Sequence, residues 1–210
     1  MKTKLPSNNE IVRRAYLVPD MRSEEQGNTI EGHAAVFDQT VSIGDWFNEV
    51  IERGAFDECD FDDVLFFVNH DISKIALARS RRNNGNSTMI LGIDDKGLFT
   101  KASLDPEHNQ TAAELLSALR RGDIDAMSFM FAISEAKWTD LDTDMPTRHI
   151  TKIKKVYEVS AVNWPAYDGT DISARGSLDS DRRALDNARA ALDNAKQNEL
   201  ELAKAKLKLM

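Results

Sequence analysis

The segment Ile124–Ile133 reads IDAMSFMFAI. Apolar side chains occupy both alternating faces of this segment, and Ser128 is the one polar side chain within Ala126–Phe131. A strand covered on both sides by other layers has this pattern. A second such segment, Lys155–Trp164, is ended by Pro165, which cannot continue a hydrogen-bonded ladder. We therefore expect both segments to be strands of a β-rich core.

Further strands are expected earlier in the chain, where short β-like or apolar runs recur between polar stretches. In chain order these runs are Arg14–Val18, Gly32–Phe37, Val64–Val68, Met89–Ile93 and Leu98–Ala102. The last two flank Asp94-Asp95-Lys96-Gly97, which is typical of a hairpin turn. The run Val64–Val68 is closed by the polar trio Asn69-His70-Asp71, so His70 is predicted to lie at the end of a buried strand.

One core helix is expected between the strands. Thr111-Ala112-Ala113-Glu114 has the form of a capping box, although Asp105-Pro106 is an alternative start, and Gly122 marks the end. An apolar stripe faces the core and consists of Ala112, Leu115, Leu116 and Leu119. The polar stretch Trp138–Arg148 is interpreted as a loop. Many strands and few helices favour a barrel or a mixed α+β fold.

The composition changes beyond Arg175-Gly176 and predicts a division into a globular domain, residues 1–175, and a helical tail, residues 176–210. From Leu178 the chain has neither glycine nor proline, and leucine recurs every seven residues at 178, 185 and 192. This pattern predicts a long amphipathic helix with a narrow apolar seam. The seam suits a coiled-coil partner, and a solvated helix is an alternative that the sequence leaves open.

Charge and composition exclude several classes of function. The net charge of −8 argues against nucleic acid as the main ligand, and the local cluster Arg79, Arg81 and Arg82 is interpreted as part of a solvated loop. Met1–Asn9 lacks the apolar run of a signal peptide, and no later run is long enough to span a bilayer. A single cysteine, Cys59, excludes an internal disulfide and suits a reducing compartment. We therefore expect a soluble cytoplasmic protein.

Several kinds of catalytic site are absent from the sequence. It has no glycine-rich phosphate loop, no His-Glu-x-x-His pair and no cysteine cluster for zinc. Cys59 lies between Glu58 and Asp60, whose negative charges disfavour a reactive thiolate. The acidic stretch Asp57–Asp63 lacks the spacing of a calcium loop and is interpreted as a solvated turn.

A serine–histidine arrangement remains as the candidate chemistry. A nucleophilic serine needs an imidazole that takes its proton and returns it to the leaving amine, and Ser128 and His70 are the candidates. Glu158 interrupts an apolar strand, where a carboxylate is costly to bury unless it is paired. Each residue alone has an ordinary alternative: a surface histidine, a buried serine bonded to backbone, or an edge-strand glutamate that faces water.

The order of several short motifs carries a more specific indication. They are Gly32-His33-Ala34-Ala35-Val36-Phe37, Glu52-Arg53-Gly54-Ala55-Phe56, Asn69-His70-Asp71, Met127-Ser128-Phe129-Met130-Phe131 and Glu158-Val159-Ser160-Ala161-Val162-Asn163-Trp164-Pro165-Ala166-Tyr167. In these motifs the chain, from about Ala15 to Ile172, resembles the prohead protease family of tailed phages of the HK97 type. That family is related in fold to the herpesvirus assembly proteases.

The resemblance implies roles for the site residues: His70 as general base, Ser128 as nucleophile and Glu158 as the acid that orients the imidazole. The herpesvirus enzymes use a second histidine instead of an acid, and His149 is the nearest alternative here. Asp71, next to His70, is a second competitor. Two positions depart from the family pattern, because residue 130 is methionine where glycine is frequent and residue 168 is aspartate where proline is common.

The resemblance also implies a β-barrel wrapped by a few helices, often paired as a dimer. The implied substrates are the scaffold segment of the major capsid protein precursor and the protease itself, cut inside the assembling prohead in the host cytoplasm. No metal, organic cofactor or membrane is implied. The tail is expected to tether the enzyme within the prohead and to be removed later by self-cleavage.

Two other functions remain open at this point. A non-catalytic assembly module could keep the protease fold and act as scaffold, although such a module has no physical need for the trio His70, Ser128 and Glu158. An unrelated β-barrel hydrolase with a coincidental serine is a weaker alternative.

Overall fold

The computed structural model describes residues 10–16, 20–23, 27–163 and 172–208, and strands dominate this part of the chain. The strands are β1 (Glu10–Tyr16), β2 (Arg22–Ser23), β3 (Thr29–Val36), β4 (Val41–Ile43), β5 (Phe47–Ile51), β6 (Leu65–Val68), β7 (Ala78–Arg79), β8 (Met89–Ile93), β9 (Gly97–Ser103), β10 (Ala126–Thr139) and β11 (Thr147–Val162). The helices are α1 (Gln110–Arg121) and α2 (Ile172–Lys208), and Arg81–Asn83 form a 3-10 turn.

The strands form two sheets, and the long antiparallel hairpin of β10 and β11 is the centre of the larger one. This sheet has the order β1-β10-β11-β5-β4, and β6 pairs in parallel with another part of β11 and is followed by β7. The smaller sheet has the order β2-β3-β9-β8. The α+β, strand-rich class is therefore confirmed. The expected closed barrel is not confirmed, because the described strands form these two sheets.

One apolar core joins both sheets and α1. It contains Phe129 and Phe131 from β10, whose stacked rings lie 4.2 Å apart, together with Leu98 from β9 and Leu116 from α1. All four side chains are fully buried, which removes their apolar surface from water and stabilises the fold. The prediction that Ile124–Ile133 contains a strand buried on both faces is thus confirmed.

Two local predictions need correction. The expected loop Trp138–Arg148 is confirmed for residues 140–146, but its ends, residues 138–139 and 147–148, belong to the strands of the hairpin. Trp138 packs its ring 5.1 Å from that of Phe47, so tertiary contact overrides a polar sequence. Helix α1 is capped by Asn109, whose side chain accepts a hydrogen bond from the Ala112 amide, and not by Thr111. Gly122 ends the helix with a φ of 75°, as predicted.

Four buried charged side chains attach the start of α2 to the larger sheet. Arg14 on β1 donates from Nε to Glu49 Oε1 at 2.5 Å and from Nη2 to both Asp181 oxygens at 2.9 Å. Arg148 on β11 donates to Glu49 Oε2 at 2.8 Å and to Asp181 Oδ1 at 2.6 Å. Two guanidinium groups and two carboxylates therefore neutralise one another in this charge cluster.

An apolar contact reinforces this attachment. Leu185 packs with Ile43 and Phe47, while α2 beyond Leu192 lies in solvent, with Leu207 78% exposed. The helix begins at Ile172, before the predicted boundary at residue 176, and its residues Asp181 and Leu185 pack on the globular part. The division into residues 1–175 and 176–210 stays a prediction. Neither described helix has a stretch that is both long and apolar enough to cross a bilayer.

Substitution of Asp181 by Asn should destabilise the protein by about 3 kcal/mol, because two buried guanidinium groups would then share one carboxylate. Asp186→Asn, at an exposed position on the same helix, is the matched control and should change stability by less than about 0.5 kcal/mol. Urea denaturation measures both. Equal stability of the two variants would show that the charge cluster does not hold α2 in place.

The charge cluster should also make stability depend on pH. Burial alone would raise the pKa of Glu49, but the charges of Arg14 and Arg148 together with their hydrogen bonds hold it below its usual value. Its contribution is therefore present above the unfolded pKa of about 4.3 and is lost as pH falls through the folded pKa. Glu49→Gln should be less stable than wild type at pH 7, and this difference should shrink below about pH 4. A difference independent of pH between 3 and 7 would contradict this account.

Candidate active site

The register of the β10–β11 hairpin gathers three polar side chains on one face. Ser128 lies directly opposite Ser160, and Met130 lies opposite Glu158. Because residues two apart on a strand point to the same side, Ser128, Ser160 and Glu158 share that face. All three are buried. Met130, where the family pattern often has glycine, belongs to the same face, and the other departure, Asp168, lies outside the described residues.

His70 reaches this face from β6, which runs parallel to β11 and pairs Leu65 with Glu158 and Val68 with Ala161. Directly after the strand, the Asp71 amide donates to the Val68 carbonyl at 3.1 Å, which closes a tight turn. Both central residues have positive φ, 53° at Asn69 and 56° at His70, as in a type I′ turn. Such angles cost non-glycine residues about 1–3 kcal/mol each, so neighbouring contacts must hold the turn.

Two hydrogen bonds of Asn69 supply that support. Its amide donates to the Ala161 carbonyl at 2.8 Å, and its side-chain oxygen accepts from the Asn163 amide at 3.0 Å. Both partners belong to β11 or the residue directly after it. The turn is therefore fixed to the strand that carries Glu158, and the His70 ring has a defined place beside it.

The His70 ring bridges the other two predicted residues. Nδ1 is hydrogen-bonded to Glu158 Oε1, and Nε2 lies 2.6 Å from Ser128 Oγ. A carboxylate at Nδ1 keeps a proton on that nitrogen, which leaves Nε2 to accept from the serine hydroxyl. The structure thus brings together the three side chains that the sequence singled out, in the arrangement of a serine–histidine–acid triad.

The Ser128 hydroxyl has a second neighbour, the Arg14 carbonyl of β1, at 2.9 Å. A hydroxyl has a single proton, so the Arg14 carbonyl and His70 Nε2 compete to accept it. A backbone-bonded serine and a histidine-bonded serine were alternatives in the sequence, and both contacts are present in the structure.

The competing acids and histidines have other partners. Asp71 accepts from the Ser73 amide at 3.1 Å and from its hydroxyl at 2.5 Å, and the hydroxyl bond lowers the pKa of Asp71. His149 lies on β11, with Nδ1 3.2 Å from Glu52 Oε1. In the structure it is Glu158 that contacts the His70 ring.

Ser160 is the residue of this site to which the sequence reasoning gave no role. Its hydroxyl donates to Glu158 Oε2 at 2.6 Å and accepts from the His70 backbone amide at 3.2 Å. The available signal was the two-residue period of β11, which places Ser160 on the same face as Glu158. Period alone could not show that the turn at His70 would meet its hydroxyl.

Other candidate groups form no comparable site. The cluster of Arg79, Arg81 and Arg82 faces the acidic stretch, where Arg79 pairs with Asp63 and Arg82 with Asp62 at the surface. Within the described residues, no group of three or more histidine, cysteine, aspartate or glutamate side chains is arranged to hold a metal ion.

Comparisons with known proteins place the chain in a family. The family described as "Caudovirus prohead serine protease" matches residues 18–183. Over 153 residues the chain is 31% identical to the prohead protease of Enterobacteria phage HK97, an alignment that covers 71% of this chain and 60% of that protein. No solved structure gives a significant match. The chain therefore belongs to the caudovirus prohead serine protease family.

Cys59 should react slowly with thiol reagents. Burial is the main cause that raises the pKa of its thiol to about 12, and the charge of Asp60 adds to the effect. At pH 8 the native protein should therefore react with iodoacetamide at least about tenfold more slowly than the urea-unfolded protein, because only the thiolate is reactive. Mass spectrometry follows the alkylation. Equal rates in the two states would show that Cys59 is accessible and ionised.

Proposed function

We propose that this protein is a serine endopeptidase that cuts the scaffold segment of the capsid precursor during prohead maturation. The observation that carries the proposal is the His70 ring, which bridges the Ser128 hydroxyl and the Glu158 carboxylate. Membership of the prohead serine protease family supplies the biological setting.

The chemistry follows from the order of these contacts. Ser128 Oγ attacks the peptide carbonyl while His70 Nε2 takes its proton, and Glu158 stabilises the imidazolium that forms. The imidazolium then gives this proton to the leaving amine as the peptide bond breaks, which leaves an acyl-serine. Water attacks the acyl-serine by the same route, its proton passing to Nε2 and then back to Ser128.

The resting site is closed. Ser128 has no exposed surface, and the His70 side chain is only 14% exposed. A peptide carbonyl must come within about 3–3.5 Å of Oγ in a reactive geometry, so covering atoms have to be displaced first. We therefore expect the site to open, and cleavage to begin, only when the prohead assembles inside the host cell.

The tail provides a surface for partners within the prohead. Three exposed leucines of α2, at positions 200, 202 and 207, are available to a second copy of the chain or to capsid protein. We propose that the tail tethers the protease and that the protease later removes it. The net charge of −8 argues against nucleic acid as the main ligand.

Ser128→Ala should abolish cleavage of the cognate capsid precursor, and Glu158→Gln should slow it by about 10³–10⁴-fold, because a neutral amide stabilises the imidazolium less. Ser134→Ala, which removes an exposed hydroxyl from the same strand, is the control and should cleave like wild type. Intact mass spectrometry of co-expressed chains gives the products. Equal cleavage by wild type and Ser128→Ala would exclude Ser128 as nucleophile.

The same mass spectra test the tail and the scaffold alternative. Wild type should lose the tail during incubation with the precursor, whereas Ser128→Ala should retain it. An intact tail on wild type beside a fully cut precursor would contradict self-cleavage. Normal proheads without cleavage by any variant would favour a non-catalytic assembly module.

A further inference from the structure

We propose that Ser160 is a positioning residue that fixes the acid and the base of the triad relative to each other. This inference rests on the proposed protease function and concerns the same site. The Ser160 hydroxyl donates to Glu158 Oε2 at 2.6 Å and accepts from the His70 amide at 3.2 Å. One buried group thus contacts both residues whose side chains meet at Nδ1.

The first bond controls the Glu158 carboxylate. Oε1 is bonded to His70 Nδ1, and the Ser160 hydroxyl holds Oε2, so the two bonds together fix the plane of the carboxylate. Glu158 is 1% exposed and Ser160 is fully buried, so bulk water does not reach Oε2 to replace a missing donor. Without the hydroxyl, the carboxylate is free to rotate away from the imidazole.

The second bond controls the turn that carries the imidazole. The His70 amide belongs to a residue with a φ of 56°, a conformation that persists only where surrounding contacts hold it. Asn69 is bonded to the Ala161 carbonyl and the Asn163 amide, and Ser160 is the contact that extends this support to His70 itself. Its loss would let the ring drift from Ser128, and displacements of about 0.5 Å already matter in such sites.

A buried serine can also have a purely structural role, and Ser80 shows that case. Its hydroxyl is equally buried and accepts from the Val64 amide at 2.8 Å, away from the triad residues. Ser80→Ala is therefore a matched control for the loss of a buried hydroxyl. The pair Ser160→Thr and Ser160→Val separates the hydroxyl from volume, because threonine and valine have the same shape.

The experiment measures kcat and KM on a peptide that spans a cleavage site mapped in the capsid precursor. Ser160→Val and Ser160→Ala should lower kcat by about 10–100-fold with KM changed by less than about twofold, as for other residues that orient a reacting group. Ser160→Thr should recover most of the lost kcat, and Ser80→Ala should keep the kcat of wild type.

A second readout needs no substrate. The proton between His70 Nδ1 and Glu158 should give a low-field proton NMR resonance in wild type, in Ser160→Thr and in Ser128→Ala, and this resonance should be lost or broadened in Ser160→Val and Ser160→Ala. Urea denaturation confirms folding of each variant. If the valine variant does not fold, Ser160→Ala compared with Ser80→Ala decides the question.

Unchanged kcat and an intact low-field resonance in Ser160→Ala would overturn the positioning role while leaving the protease function in place. Cleavage that persists in Ser128→Ala would instead overturn the proposed role of Ser128 as nucleophile, and the NMR comparison would still test the contact between Ser160 and the pair His70 and Glu158.

Discussion

Each side chain of the site keeps its place because β10 and β11 pair in one register, with Ser128 opposite Ser160. A slip of one residue would turn one strand over and carry Ser128 to the opposite face from Glu158. The register is well specified because both strands bury large apolar side chains, including Phe129 and Phe131. The same packing that stabilises the core therefore sets the geometry of the reacting groups.

Strand β11 serves two neighbours at once, and this explains how distant parts of the chain meet. It pairs antiparallel with β10 and, along its last residues, in parallel with β6. Ser128 and His70 are 58 residues apart in sequence. They come within hydrogen-bonding distance because β10, which carries Ser128, and β6, which precedes His70, both pair with β11. The turn after β6 then places His70, because its positive φ angles direct the His70 amide toward the Ser160 hydroxyl.

Local patterns made much of the fold predictable. Apolar runs located β6, β8, β9 and the buried halves of β10 and β11, and the leucine stripe located α1. The family motifs picked out His70, Ser128 and Glu158, which the structure brings together. The outer half of the hairpin was missed because its side chains are mostly polar there, and only pairing across the strands makes it regular.

Other long-range polar contacts could not be predicted. The bond between Arg14 and Asp181 joins residues 167 positions apart, and nothing in either neighbourhood indicates the other. The role of Ser160 depends on the backbone of His70, 90 residues away, and a backbone amide leaves no trace in the sequence. Both contacts form only in the folded protein, because each of them joins two different secondary-structure elements.

Arg14 connects helix α2 to the serine of the candidate site. Its side chain faces Asp181 at the start of α2, and its carbonyl faces the Ser128 hydroxyl. A chain shortened beyond Leu192 keeps both contacts and therefore an unchanged site. A chain shortened before Asp181 loses one negative partner of the Arg14 side chain. The carbonyl of the same residue competes with His70 for the Ser128 proton. A cut beyond Leu192 therefore leaves the contacts of Arg14 in place, whereas a cut before Asp181 removes one of them.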